Sequence, residues 1–230
     1  MWSYNSIRDN DRLEVVSMKK RSVYGLIAVA VLMAVIMCSE RAVYASGPDL
    51  MPVIYLYPQQ DATEITVTLD YNGTLTAQDP AFNIENGWSV VANTDGQITV
   101  GDKTCSYLYW EGNPSNQYDF YSGFCIKGSE TEDFLKSKLP YLGLNEAETS
   151  AFISYWLPMM KDNKYNVISF QEGAYTNNAK LDFYPKPDTV IRVFMAWYPS
   201  EKEVKILPQD ISGASRSGFT VVEWGGNKVK

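Results

Sequence analysis

The apolar positions of this chain keep three different rhythms. Val23 to Cys38 is an unbroken apolar run of sixteen residues, VYGLIAVAVLMAVIMC, behind Lys19, Lys20 and Arg21. From Val53 the spacing becomes two, that of strands with one buried face. Between Ser129 and Met160 it lengthens to the period of a helix, and from Asn166 it returns to short apolar stretches.

These rhythms predict elements. Val53–Tyr57 reads as a strand ended by Pro58. Ile65–Tyr71 alternates strictly, and with Asn72-Gly73 and Thr74–Ala77 it predicts a hairpin on a type I′ turn, whose two central residues need positive φ. Trp88–Ala92 and Gln97–Val100 predict a second hairpin around Asn93–Gly96. Thr104–Trp110 and Gly123–Lys127 add further strands. Ser129-Glu130-Thr131 would open a helix through Phe134, Leu135, Leu139 and Leu142, with Pro140 disturbing its end and Gly143 closing it. Asn145 and Glu148 form a capping pair for a second helix with Ala151, Phe152, Tyr155, Trp156 and Met159 at helical spacing and Pro158 in its last turn. Asn166–Phe170, Lys180–Phe183, Thr189–Trp197 and Phe219–Trp224 are strands again. Val190–Trp197 is apolar on both parities except at Arg192, the mark of a central strand covered on both faces. The expected fold class is α+β and β-rich: an antiparallel β-sandwich or rolled sheet with an inserted helical hairpin.

The N-terminal run sets the expected compartment. A bilayer span needs about 17–25 residues and a secretory apolar region about 7–15, so the run fits a cleaved signal peptide or an uncleaved anchor. Val43 and Ala45 supply small residues for cleavage after Ala45. Met37 stands where a lipobox needs a small residue, which argues against a lipoprotein at Cys38. Residues 1–17 are polar and mixed in charge, whereas Met18-Lys19-Lys20-Arg21 opens like a bacterial signal, so translation is expected to start at Met18. The expected organisation is then an extension at 1–17, a signal peptide or anchor at 18–45, a β-rich region at 46–128 and an α+β region at 129–230. These last two are separate or one continuous domain. Everything beyond about Ser46 is expected outside the cytoplasm, secreted or held at the surface.

Composition narrows the chemistry. The chain has 230 residues, a net charge of -7 and no histidine. An acidic chain cannot release counterions from nucleic acid or anionic lipid, so no nucleic acid is expected and membrane only through residues 23–38 if uncleaved. Without histidine there is no Ser-His-Asp triad, HExxH site or other imidazole ligand. No metal or cofactor is expected; the Asp/Asn loops near Asp95 and Asp162 lack the DxDxDG pattern of a calcium loop. Outside the N-terminal run the cysteines are Cys105 and Cys125. In an oxidising space they are either a disulfide pair or two buried thiols.

Six segments in order, PVIYLYP (52–58), YLYWEG (107–112), YWLPMM (155–160), YNVISFQ (165–171), VIRVFMAW (190–197) and GFTVVEWGG (218–226), resemble a family of uncharacterised bacterial proteins predicted to be exported. The resemblance covers nearly all of 52–226 and implies export, with no activity. Relatives commonly carry Lys before the first of these prolines, where this chain has Met51.

Glu111 and Glu223 stand beside Trp110 and Trp224 near strand ends, the arrangement a glycosidase uses for acid and base. Asp119 and Glu172 are further acidic candidates. The competing reading is structural, since acids at strand ends commonly cap turns or pair with cations. Arg192, flanked on its parity by Val190, Phe194 and Ala196, points into apolar surroundings and needs a carboxylate, Glu223 first and Glu111 second. Tyr107, Tyr109, Tyr118 and Tyr121 cluster around the Glu111 loop, where rings could stack on sugars or serve as core and cross-strand pairs; the candidate binding residues are Tyr107, Tyr109, Trp110, Tyr118, Asp119 and, as a substrate clamp rather than a structural ion pair, Arg192. The leading expectation is a non-enzymatic binding module for a glycan or an envelope protein. The alternatives are a carboxylate-dependent hydrolase and a structural envelope protein.

Overall fold

The computed structural model describes residues 47–229. The start at Met18, the apolar run, Cys38 and the cleavage point after Ala45 lie outside the described residues. No helix among the described residues is long and apolar enough to cross a membrane.

In chain order the strands are β1 (Asp49–Tyr57), β2 (Thr63–Tyr71), β3 (Gly73–Asp79), β4 (Gly87–Ala92), β5 (Ile98–Val100), β6 (Lys103–Cys105), β7 (Leu108–Pro114), β8 (Ser122–Lys127), β9 (Tyr165–Phe170), β10 (Ala179–Tyr184), β11 (Thr189–Ser200), β12 (Leu207–Pro208) and β13 (Thr220–Lys228). The helices are α1 (Thr131–Tyr141), α2 (Glu146–Met160) and the short α3 (Gly173–Asn178). An eight-stranded sheet runs β12-β8-β9-β11-β13-β1-β7-β3, and a five-stranded one runs β10-β2-β4-β5-β6. Strands from before and after residue 128 enter both sheets, so 46–128 and 129–230 are not separate domains. The fold is the expected β-rich α+β class.

Two apolar cores divide the large sheet's faces. Leu56, Trp88, Leu108, Trp110, Phe194 and Val221 belong to the core shared with the small sheet. Val53, Leu139, Phe152, Trp156, Val193 and Trp224 form the second, beneath α1 and α2. Period-two alternation sorts the residues: on β1, Ile54 and Leu56 face the small sheet while Val53, Tyr55 and Tyr57 face the helical side. Burial of one such large side chain contributes roughly 1.5–3 kcal/mol. The layers are therefore helices, large sheet, small sheet.

The helical pair forms where expected. Asn145 accepts from the Glu148 amide at 2.8 Å and Glu148 accepts from the Asn145 amide at 2.8 Å, a complete capping box. Gly143, at φ +100°, turns the chain out of α1 in a conformation a side chain would strain. No side-chain cap opens α1; the Thr131 hydroxyl donates back to the Lys127 carbonyl instead. Pro140 and Pro158 both lie inside the last turns, which continue through them. β11 is central, antiparallel to β9 and parallel to β13.

Two local expectations fail for one reason. Asn72-Gly73 does not join a hairpin: β2 pairs with β4 and β10, whereas β3 pairs with β7. Gly73 is absent from the positive-φ positions. A Cβ there would stand 2.3 Å from the Asn113 carbonyl oxygen, so this glycine permits close approach where the chain passes between sheets. Likewise 104–110 is not one strand. It divides into β6 of the small sheet and β7 of the large one. Cys105 and Cys125 consequently end in different sheets as free thiols. This corrects the disulfide candidate: Cys105 pairs opposite Ile98 while Cys125 pairs opposite Val167.

Candidate functional site

A bulge in β1 decides what lies between the sheets. Pairing to β13 is irregular between Leu50 and Val53, where Met51 takes φ +53°. Unbroken alternation would put Asp49 on the helical face with Val53; one extra residue reverses it. The fully buried Asp49 carboxylate therefore turns inward, accepting from Tyr118 Oη and Asn227 Nδ2 on one oxygen and Tyr71 Oη on the other, each at 2.9 Å. Burial raises its pKa to about 6 against these three hydrogen bonds, with Glu223 adding to the rise.

Next to it is an ion pair. Arg192 and Glu223 are register partners on β11 and β13, with Nε 2.5 Å from Oε2. The Tyr175 hydroxyl donates to the other Glu223 oxygen at 2.9 Å, and the guanidinium lies 4.9 Å from the Tyr175 ring centroid. Burial works against the Arg192 charge, but Glu223 and Tyr175 outweigh it and raise its pKa. Tyr175 stacks on Phe194 with centroids 3.8 Å apart.

A second buried pair escaped the sequence reading. Glu148, the capping-box acid, also receives Arg216 Nη2 and the Tyr57 hydroxyl, the latter at 2.7 Å. Arg216 sits 5.4 Å from the Tyr57 ring centroid. The paired expectation of Asn145 with Glu148 gave half of this cluster; nothing local links 216 to 148.

On the helical side of the large sheet, β1 and β7 carry a tyrosine face. Tyr55 and Tyr107 meet edge to face at 5.6 Å, and Tyr55 stacks parallel to Tyr57 at 6.3 Å. Tyr109 and Glu111 share this parity on β7, opposite in direction to Leu108 and Trp110 of the inner core. Tyr155 of α2 borders the same group. Burial and then the Glu111 carboxylate push the pKa of both Tyr109 and Tyr155 above the ordinary tyrosine value. Burial first, then neighbouring charge, pushes Tyr55 up to about 12. Tyr107 is 39% exposed, and Tyr55, Tyr109, Glu111 and Tyr155 are half-buried, so the face is open to solvent.

The predicted residues thus separate. Glu111 lies on the outer face and Glu223, 1% exposed, on the inner face of one sheet. They cannot flank one scissile bond, which corrects the acid–base pairing. Trp110 and Tyr118 are wholly buried and cannot meet a ligand, and Arg192 pairs with Glu223 between the sheets, away from the outer face. Tyr107 and Tyr109 lie on the outer face, exposed and half-buried respectively. Asp119 is exposed, but its carboxylate accepts from the Tyr121 amide within its own turn. Glu172 is exposed at the start of α3, and no group of three or more His, Cys, Asp or Glu among the described residues could hold a metal ion. Tyr55 and Tyr155 were missed: Tyr55 carried the right parity on a predicted strand, while Tyr155 read as helix core. A separate depression of about 640 Å³, lined by Thr68, Asp70, Tyr71, Thr74, Glu85 and Asn86 among others, includes none of the tyrosine face.

Compared with known proteins, the chain is 45% identical over 96 residues to an uncharacterised protein in the bglA 3′ region of Butyrivibrio fibrisolvens, covering 42% of this chain and all of that one. No family model and no solved structure matches.

Proposed function

This chain belongs to the family of that Butyrivibrio fibrisolvens protein, and from that premise we propose that it is an exported, non-enzymatic module whose tyrosine face binds a glycan. The observation that carries the reading is the row of Tyr55, Tyr107 and Tyr109 on a solvent-open sheet face, with Glu111 next to Tyr109 at its end. Ring faces suit the C–H surfaces of sugars, and a carboxylate beside them accepts from hydroxyls. The basic cluster and apolar run at 19–38 support delivery outside the cytoplasm, secreted or anchored. Separation of Glu111 from Glu223 weighs against glycoside hydrolysis, whose two carboxyl groups stand roughly 5–10 Å apart across a cleft.

The test is a glycan array probed with the full-length chain and with Tyr107→Ala. We expect a defined set of glycans to bind, and Tyr107→Ala to weaken them by about tenfold. Its melting temperature should hardly move, because the side chain is partly exposed. An array without binders, or binding indifferent to Tyr107, sinks the proposal.

A further inference from the structure

The depression of about 640 Å³ lies where the chain changes sheets. β2 ends in the small sheet at Tyr71 and β3 begins in the large one at Gly73, so the two strands part and leave a gap. The Asn72 amide donates to the Asn178 carbonyl at 2.8 Å and the Asn72 carbonyl accepts from the Ser115 amide at 3.0 Å, which fixes the crossing. The volume falls within the range of ligand pockets, roughly 300–1,000 Å³.

Its lining is held from behind. Tyr71 donates its hydroxyl to Asp49 at 2.9 Å and meets Trp110 edge to face at 4.8 Å. A Cβ at Gly73 would stand 2.6 Å from the Tyr71 ring and one at Gly112 would strike the same ring, so two glycines let β3 and β7 close on it. The turn before β4 supplies the rest. There the Leu69 amide donates to the Asn86 carbonyl at 2.8 Å, the Asn83 and Ile84 amides both reach the Gly87 carbonyl, and Asn86 takes φ +53°. This turn sets Glu85 and Asn86 in one depression with Thr68 and Asp70 of β2 and Thr74 of β3.

Among the described residues the side chains of Thr68, Thr74, Glu85 and Asn86 make no hydrogen bond or ion pair within the chain, and Asp70 has only the exposed Lys180, 3.5 Å away. The set is mixed in kind. Its carboxylates accept, Lys180 donates, and the hydroxyls and the amide do both. A metal ion or an ammonium would use the acceptors alone, and no group of three acids among the described residues could hold a metal. A sugar hydroxyl both donates and accepts, and the C–H surface of the sugar has Leu69, Tyr71 and Leu75 to lie against.

We propose that this depression is a second sugar-binding site, taking one neutral pyranose unit. Asp70 and Glu85 accept from its hydroxyls, Thr68 and Asn86 complete the hydrogen bonds, and Tyr71 is the apolar wall. The site goes beyond the reading of the tyrosine face, because it uses none of that face's residues.

The experiment titrates the full-length chain with the methyl β-glycosides of glucose, galactose, mannose and xylose, and with n-butylammonium as a cationic probe, followed by ligand-observed NMR. We expect at least one glycoside to bind with Kd about 1 mM. Glu85→Ala should weaken it about tenfold and Thr68→Val about threefold. Melting temperatures should hold, since Glu85 is exposed and valine keeps the strand preference of threonine. Tyr107→Ala should leave this binding unchanged. No binding by any of the glycosides overturns the proposal, as does binding that neither Glu85→Ala nor Thr68→Val weakens. Loss of binding in Tyr107→Ala also overturns it and puts the sugar on the tyrosine face, with that reading intact. Binding of n-butylammonium in place of the glycosides overturns it in favour of a cation.

Discussion

Arg192 and Glu223 face each other across parallel neighbours β11 and β13, 11% and 1% exposed, with Nε 2.5 Å from Oε2. The pair closes a network in which Tyr175 also binds Glu223, while Asp49 collects Tyr71, Tyr118 and Asn227. It joins segments far apart in the chain in the space between the sheets. Both side chains lie buried there, and the pair cross-links β11 to β13.

Removing one partner of a buried pair leaves the other charge without compensation. Arg192→Ala should therefore lower stability by about 3–5 kcal/mol, read as a large fall in melting temperature. In Arg192→Met with Glu223→Gln the charge is gone and an amide oxygen still accepts from Tyr175, so most of the loss should return. An unchanged melting temperature in Arg192→Ala would rule out the structural role.

Asp49 gives stability a pH dependence of a definite sign. Its folded pKa is about 6 against 3.8 for the free group. Between these values the folded state holds the proton more tightly, so stability contributed by this group is full below about pH 4 and is lost as pH rises to about 6. The change is at most about 3 kcal/mol. Urea unfolding of Asp49→Asn beside the native chain isolates it. The variant should lose this component of the slope, and an identical pH profile for both would refute the assignment.

Glu148 serves the α2 cap and the Arg216 contact at once. Asn145→Ala should cost about 1 kcal/mol and Arg216→Ala about 1–3 kcal/mol, tempered because Arg216 is 27% exposed. Sharing one carboxylate, the two losses should not add. A double variant whose unfolding free energy is the plain sum would show that the cap and the ion pair act independently.

How much of this was legible follows from the range of each interaction. The Asn145–Glu148 box spans three residues and was readable as a local pattern. Arg192 was readable as needing an acid because its neighbours of the same parity, Val190, Phe194 and Ala196, are apolar. That the acid is Glu223 followed from parity alone, and the register bears it out. The Asn72-Gly73 turn misled because a short-range signal was taken where Gly73 serves contact with β7, more than thirty residues on. The tyrosine face was half-visible: Tyr107 and Tyr109 are close in sequence, but Tyr55 and Tyr155 join them only through β1–β7 pairing and the seating of α2. The second arginine pair was hidden altogether, since residues 148 and 216 meet only in the folded chain.

By itself the sequence determined the periodicities, and with them the strands, the capped helical pair and the burial of an arginine, because local sterics and the water-avoidance of apolar side chains act over a few residues. Which sheet each strand entered, which way Asp49 turned at its bulge and which face received Glu111 or Glu223 were decided by tertiary structure. A strand's two faces are equivalent until partners bury one of them, and those partners come from distant parts of the chain.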